Sequence, residues 1–243
     1  MRLYHFLVKI ANPDPNFLML RCTHTPLIIG TLHSPACIEK LQLDSERFKK
    51  DTGIGALEVR LDSIPTSLLP TSWPLPVIAT ARHPAEGGKG NLTLKQRRSL
   101  LEEALLWASA IDMELRSVKQ MVSTIAQARE RNCSLILSFH DFRAVPSLAR
   151  LKELAARAED AGAAIFKVAV TLNSKKELER LVEFRESGGD FPIASMGMGR
   201  LGKKSRLLLA ECGSVLSYGW LYEPQVEGQW PAWELVAAAK GRK

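Results

Sequence analysis

The feature of this sequence that most constrains its fold is a regular alternation of short apolar runs with amphipathic stretches. Eight runs have the length and composition of buried strands: residues 27–31, 56–61, 77–82, 110–115, 134–140, 164–170, 192–197 and 214–219. Helical patterns separate most of them, at 37–51, 93–109, 117–132, 146–162, 174–187 and 199–212, and another closes the chain at 231–243. Alternation of this kind is typical of a parallel sheet. Eight strand–helix units in 243 residues predict a single (β/α)8 TIM-type barrel.

Two segments depart from the alternation. The connection between the second and third predicted strands, "DSIPTSLLPTSWPLP", is too rich in proline for a full helix, so we expect a shortened connection there. Residues 1–25 precede the first strand and are expected to form an N-terminal extension. No linker or low-complexity tract divides the chain, so we expect one domain over residues 1–243.

Composition and charge argue against two classes of function. No segment approaches the length of an apolar membrane span, and Asn12 to Pro15 interrupt the apolar N-terminus, so we expect a cytoplasmic protein with no membrane partner. The net charge is +7, but no long Lys/Arg tract with interleaved aromatic residues occurs, so nucleic-acid binding is not expected. A modest positive field would suit a small anionic substrate.

The four cysteines are scattered along the chain, at positions 22, 37, 133 and 212. They form no CxxC pair, and we identify no histidine at a zinc-ligand spacing from them. We therefore expect reduced thiols, with neither a disulfide framework nor a metal site.

Four predicted strands place polar residues on one face and apolar residues on the other, because alternate strand residues point to opposite sides. The polar faces carry Glu58, Arg60, Asp62, Asp112, Glu114, Ser138, His140 and Lys167. A barrel interior is ordinarily filled with apolar side chains, and an unpaired ion there costs several kcal/mol. Clustered ionisable groups in such a place therefore predict an active site.

Lys167 lies in the middle of the apolar run "AAIFKVAVTL" and has two plausible uses. It can bind an anion, or it can form an imine with a substrate carbonyl if its amine is neutral. Apolar neighbours and a nearby cation such as Arg60 would favour the neutral amine. His140 is a natural general acid and base. The residues alone predict a Schiff-base enzyme that acts on a small anionic keto compound.

Several motifs, in this order along the chain, resemble the type I 3-dehydroquinate dehydratase family over about residues 27–229. They are "EVRLD", "TARHPAEGG", "IDMEL", "SFHDF", "FKVAV", "GRLGKKSR" and "EGQ". The resemblance implies a hydro-lyase of the shikimate pathway that converts 3-dehydroquinate to 3-dehydroshikimate through an imine. It also implies that no metal or organic cofactor is needed, and it suggests a homodimer.

The resemblance implies roles for individual residues. Lys167 would form the imine, His140 would act as acid and base, and Glu86 would be the partner of that histidine. Asp112 would be a supporting acidic residue. The substrate-binding residues would be Glu58, Arg60, Arg82, Arg206, Gln225 and Gln229. Gln225 stands where the family usually has a serine, so the contact of that loop with substrate is expected to differ.

Two alternatives remain open at this point. A class I aldolase also uses a barrel lysine, but it does not require the "SFHDF" motif together with the "GRLGKKSR" and "EGQ" segments. A non-catalytic sensor of quinate-pathway ligands would contain a similar module, usually within a longer polypeptide. Turnover by the purified protein separates the enzyme from the sensor.

Overall fold

The computed structural model describes residues 26–48, 52–187 and 189–240, so the predicted extension 1–25 lies outside the described residues. The strands are β1 Leu27–Leu32, β2 Ile54–Arg60, β3 Val77–Thr80, β4 Ala110–Glu114, β5 Ser134–Asp141, β6 Ile165–Thr171, β7 Ile193–Met198, β8 Leu216–Trp220 and β9 Trp230–Pro231. The helices are α1 Pro35–Leu43, α2 Ser45–Phe48, α3 Leu94–Ala104, α4 Val122–Glu130, α5 Leu148–Asp160, α6 Lys175–Glu186, α7 Gly202–Glu211 and α8 Ala232–Lys240.

The strands form one curled parallel sheet in the order β7-β6-β5-β4-β3-β2-β1-β8-β9. Each of the eight predicted strands is present, and the prediction of an α/β fold with parallel strands is confirmed. The two-residue strand β9, which pairs with β8 at Gly219 and Trp220, was not predicted. A strand this short has no alternation of apolar and polar residues from which it could be recognised.

The connection between β2 and β3 contains a single 3-10 turn, Thr66–Leu68, whereas the other connections among the first eight strands carry longer helices. This agrees with the short connection expected from its prolines. By contrast, α3 and α6 begin with complete capping boxes, at Thr93 with Gln96 and at Ser174 with Glu177. These caps satisfy free backbone N–H groups and fix where each helix leaves the preceding loop.

Two apolar layers flank the sheet. The outer layer packs strand residues such as Val59, Leu137 and Val168 against the helices. The inner layer includes Ala56, Ile136 and other residues from the amino-terminal halves of the strands. Towards the carboxyl ends the interior positions become polar, which places the ionisable groups at one end of the sheet.

Among the first eight strands, β7 and β8 are at opposite ends of the strand order, and they approach one another. The Val215 amide, just before β8, donates to the Ile193 carbonyl of β7 at 3.0 Å. The Ser195 amide of β7 donates to Ser214 Oγ at 2.9 Å. None of the helices in the described ranges is both long and apolar enough to cross a lipid bilayer.

Candidate active site

A cavity of about 160 Å³ opens among the polar residues of the strands and their following loops. Most of the site residues predicted from the sequence line it: Glu58, Arg60, Arg82, Glu86, His140, Lys167, Arg206, Gln225 and Gln229. Asp112 is fully buried and does not line the cavity, but it contacts two of the residues that do. The structure therefore brings together residues that are up to 171 positions apart, from Glu58 to Gln229.

Lys167 is buried on β6 between two carboxylates and an aromatic ring. Its Nζ lies 3.1 Å from Glu58 Oε1 and 2.8 Å from Asp112 Oδ2. The same atom is 3.9 Å from the centre of the Tyr218 ring. Two carboxylate oxygens and an aromatic face thus surround the Lys167 amino group.

Arg60, which was expected to favour the neutral form of Lys167, forms an ion pair with Asp62. Arg60 is held by Asp62 through two hydrogen bonds of 2.9 and 2.8 Å, which largely compensate its charge. Asp62 lies in the turn directly after β2, two positions from Arg60, and accepts both bonds there. The groups in contact with the Lys167 ammonium are acidic.

Arg82 and Asp112 form the base of the site. The Arg82 guanidinium makes two hydrogen bonds to Asp112, of 3.1 and 2.9 Å, and one of 3.1 Å to Glu114. Burial by itself would raise the pKa of Asp112, but the positive charges of Arg82 and Lys167 outweigh it, and the pKa is held far below its usual range. Asp112 is therefore ionised and joins the lysine to the arginine.

His140, near the end of β5, is oriented by Glu86 from the loop after β3. Glu86 Oε2 accepts the His140 backbone N–H at 2.9 Å and lies 3.1 Å from the ring Nδ1. Burial, followed by the charges of Arg82 and Lys167, lowers the pKa of His140 well below 6.5, so the ring is neutral at pH 7. If Nδ1 carries the proton and donates it to Glu86, Nε2 is left as the basic atom.

The pKa of Glu86 is shifted as well. Burial, followed by the negative charge of Glu114, raises the pKa of Glu86 to about 7. Its charge, and with it the strength of its bond to His140, therefore changes within the physiological pH range.

Arg206, on α7, differs from the other buried arginines of the site. Its Nη1 donates to the Tyr218 carbonyl at 2.6 Å, while its buried Nε has no hydrogen-bond partner. Within the described ranges no carboxylate pairs with it, whereas Arg60 and Arg82 both have such partners. Burial lowers the pKa of Arg206 to about 10, which leaves it protonated at neutral pH. An unpaired, partly unsatisfied guanidinium in a cavity is suited to an anion.

The loop after β8 adds two amides. Gln229 Nε2 donates to Thr31 Oγ1 at 3.2 Å, and Gln229 Oε1 accepts the Gln225 backbone N–H at 3.1 Å. The side chain of Gln229 thus ties its own loop to β1 beside the cavity.

The chain as a whole is similar to known proteins of one family. A sequence model described as type I 3-dehydroquinase matches residues 38–242, most of the chain. The chain belongs to this family. The prediction that it is a hydro-lyase is thereby confirmed.

Individual members of the type I 3-dehydroquinase family show the extent of the likeness. The 3-dehydroquinate dehydratase of Methanothrix thermoacetophila is 31% identical over 216 residues, which is 86% of this chain and 92% of that protein. The corresponding protein of Methanococcoides burtonii is 31% identical over 205 residues, 80% of this chain and 87% of that one. The crystal structure of 3-dehydroquinate dehydratase from Aquifex aeolicus VF5 superposes with a TM-score of 0.74 at 28% identity, covering 89% of this chain and 98% of the other.

Two residues at this candidate site were not predicted from the sequence. Tyr218 on β8 packs under the Lys167 ammonium, and Thr31 on β1 receives the bond from Gln229. Both lie in apolar runs, where a single tyrosine or threonine gives little signal of a polar face. Alternation within "LSYGW" would have placed Tyr218 and Leu216 on the same side of β8, but it gives no reason to link that side to Lys167.

A group of possible metal ligands lies beside the cavity, contrary to the interpretation that no histidine stands at a ligand spacing from a cysteine. His33 precedes Cys37 by four positions, and Glu223 of the loop after β8 joins them. Their ligand atoms lie within 4.8 Å of one another. Cys37 and Glu223 are 186 positions apart, so only the fold could reveal this group.

Proposed function

We propose that this chain converts 3-dehydroquinate to 3-dehydroshikimate in the shikimate pathway, through an imine on Lys167. The observation that carries the proposal is one cavity lined by a buried lysine, a histidine held by a carboxylate and an unpaired arginine. Membership of the type I 3-dehydroquinase family supports the choice of substrate.

In the first step the Lys167 amine attacks the C3 ketone, and loss of water gives the imine. The ammonium lies between Glu58 and Asp112 and must first lose a proton. Asp112 stays ionised beside Arg82, so we propose Glu58 as the acceptor. The protonated imine that forms carries the same positive charge between the same two carboxylates. These carboxylates therefore stabilise the intermediate and the resting lysine alike.

In the second step His140 removes a proton from C2, whose acidity the imine increases. The electron pair moves towards the imine nitrogen, and its return expels the C1 hydroxyl, which leaves as water with the proton that His140 returns. The bond from Nδ1 to Glu86 holds the ring in place for both transfers. Hydrolysis of the imine then releases the product and regenerates Lys167.

Arg206 is proposed to bind the substrate carboxylate, with Gln229 and Gln225 closing over it. The free donor capacity of Arg206 supports this role. Arg82 makes three bonds to Asp112 and Glu114, so we propose that it acts chiefly by holding Asp112 against Lys167. Glu58 and Arg60 line the cavity where the ring hydroxyls of the substrate would lie.

The test is reduction with borohydride in the presence of 3-dehydroquinate, followed by intact mass and peptide mapping. We expect one reduced adduct of ligand size on the peptide that contains Lys167, and its loss in Lys167→Ala. Lys89 lines the same cavity, so Lys89→Ala is the matched control and should keep the adduct. A folded wild-type protein with 3-dehydroquinate turnover but no adduct would rule out the imine.

We further propose that the first eight strands close into a barrel as a single domain, which the bonds between β7 and the start of β8 support. A cytoplasmic homodimer is also part of the proposal, by analogy with the family. Sedimentation equilibrium tests the dimer directly, because a dimer has twice the 26.9 kDa mass of the chain.

A further inference from the structure

His33, Cys37 and Glu223 meet at the carboxyl end of β1, outside the residues that line the cavity. His33 Nε2 lies 3.6 Å from Glu223 Oε1, and Cys37 Sγ lies 3.6 Å from the same oxygen. Ser34 Oγ donates to that oxygen at 2.5 Å and also accepts the backbone N–H of Cys37. Three chemically different donors therefore converge on one small volume.

We propose that these three side chains form a binding site for a divalent transition metal of the Zn²⁺ class, which fastens the loop after β8 to the start of α1. Imidazole nitrogen, thiolate and carboxylate are all ligands of zinc, and the combination with a thiolate disfavours Mg²⁺ and Ca²⁺. The chemistry proposed for the cavity does not involve this group.

Two of the three separations, those to Glu223 Oε1, fit one ion bound by all three donors. With Zn–S, Zn–N and Zn–O lengths of about 2.3, 2.05 and 2.0 Å, a tetrahedral ion separates S from O by about 3.5 Å and N from O by about 3.3 Å. The observed separations are 3.6 Å in both cases. Small side-chain shifts would thus complete the coordination without moving the backbone.

A second observation points to a missing partner at the same place. His33 is only 4% exposed, and its Nδ1 has no hydrogen-bond partner. The approach of Nε2 to Glu223, at 3.6 Å, is longer than a hydrogen bond. A buried imidazole whose Nε2 lacks a good partner is unfavourable, and a cation bound at Nε2 would compensate for this.

The group is accessible from one side. The Glu223 side chain is 44% exposed, while His33 and Cys37 are buried. An ion can therefore enter past Glu223, and a water molecule can occupy the fourth position. Ser34 would remain bonded to Glu223 and orient it towards the ion, as outer hydrogen bonds commonly do at metal sites.

The position of Glu223 gives the site a structural consequence. Glu223 precedes Gln225, Val226 and Gln229, which line the cavity on the same loop. His33 directly follows β1, the strand that carries Thr31. An ion shared by His33, Cys37 and Glu223 would hold the beginning of this loop against β1, while Gln229 holds its end.

The experiment is a Co²⁺ titration of the full-length reduced protein, followed by displacement with Zn²⁺. We expect one Co²⁺ per chain, with thiolate charge-transfer absorption in the near ultraviolet and the intense visible bands of a tetrahedral ion. Cys37→Ser should abolish the charge-transfer band. Glu223→Gln, which changes a half-exposed side chain, should weaken Zn²⁺ binding by at least about tenfold.

Two matched variants serve as controls. Cys212→Ser removes a more exposed thiol, and Glu227→Gln removes an exposed carboxylate from the same loop; neither should alter the spectrum or the affinity. The site is refuted if the wild type gives no tetrahedral spectrum, or if the spectrum survives Cys37→Ser and is lost in Cys212→Ser.

Hydrogen exchange tests the effect on the loop. Zn²⁺ should slow exchange of the backbone amides of residues 225–229 in the wild type and leave Cys37→Ser unchanged. Metal binding without this protection would overturn the proposed fastening of the loop. No substrate is present in either experiment, so their outcome is independent of the proposed dehydratase reaction.

Discussion

At the scale of single residues, the site depends on which buried charges already have partners. Arg60 and Arg82 are held by Asp62 and Asp112, whereas Arg206 retains an unsatisfied buried N–H. A paired arginine has little left to offer a ligand, while leaving a buried donor unpaired is unfavourable until an anion arrives. For this reason Arg206 is the residue to which we assign the substrate carboxylate.

The coupling of Glu86 to His140 predicts a specific pH dependence. The pKa of Glu86 is about 7 and that of His140 lies well below 6.5, so Glu86 is the group that gains a proton first as the pH falls. Protonated Glu86 is a weaker acceptor for Nδ1–H. We therefore expect kcat/KM to rise with pH through about 7. This rising limb of the pH profile would report the loss of the Glu86 proton.

Glu86→Gln tests this assignment, because the amide does not titrate. The limb near pH 7 should disappear, activity should fall by about ten- to a hundredfold at its maximum, and a limb well below pH 6.5 should remain. The measurement is kcat/KM as a function of pH. Asp141→Asn, beside His140 but bonded to the Arg143 amide, should keep the wild-type limb. Persistence of the limb in Glu86→Gln would contradict the assignment.

At the scale of elements, the close approach of β8 to the start of α8 positions the loop that carries Gln225 and Gln229. Gly219 on β8 pairs with Trp230 of β9. A Cβ added at Gly219 would lie 2.6 Å from Ala232 Cα and 2.8 Å from Ala232 N. These are backbone atoms, which cannot rotate aside as a flexible side chain can.

We accordingly expect Gly219→Ala to destabilise the fold by about 2–3 kcal/mol, because β8 and α8 must move apart. Gly189→Ala provides the comparison: nothing lies within 4 Å of its added Cβ, and only its φ of +64° is unfavourable, at about 1 kcal/mol. Urea unfolding of both variants measures the difference. Equal losses of unfolding free energy in the two variants would show that the close contact of Gly219 with Ala232 adds no destabilisation.

At the scale of the whole molecule, a buried charge network joins the strands across the interior. Asp112 on β4 contacts Lys167 on β6, Arg82 after β3 and Ser138 on β5. Lys167 continues the network to Glu58 on β2. Removing one carboxylate leaves two buried cations undercompensated, which is far more costly than losing a surface ion pair.

Asp112→Asn is therefore expected to lower the free energy of unfolding by about 3–5 kcal/mol at pH 7. The pKa of Asp112 is lowered in the fold from its usual 3.8, so its contribution is fully present above that value and is lost as the pH falls below it. The gap in unfolding free energy between wild type and Asp112→Asn should be constant down to about pH 5. Below pH 4 it should narrow by about 1.4 kcal/mol per pH unit.

Urea unfolding at a series of pH values measures this gap. Asp190→Asn removes an exposed carboxylate and should match the wild type throughout. A gap of the same size at pH 3 and pH 7 would show that Asp112 contributes through shape and not through its charge.

Periodicity along the sequence predicts the order of the eight longer strands and of the helices, and the face on which each polar strand residue lies. Both follow from local periodicity: Glu58 and Arg60 must share a face because strand side chains alternate, whatever the rest of the chain does. Ordered motifs around His140 and Lys167 then indicated the family, which the comparisons confirmed.

Which of those groups contact one another depends on the three-dimensional fold. It paired Arg60 with Asp62, placed Tyr218 beneath Lys167, left Arg206 without a carboxylate partner among the described residues, and brought Glu223 to His33 and Cys37. Periodicity fixes a direction along one strand, but ion pairing, burial and metal-ligand geometry depend on distances across strands. Those distances are set by the curl of the whole sheet, which no local pattern encodes.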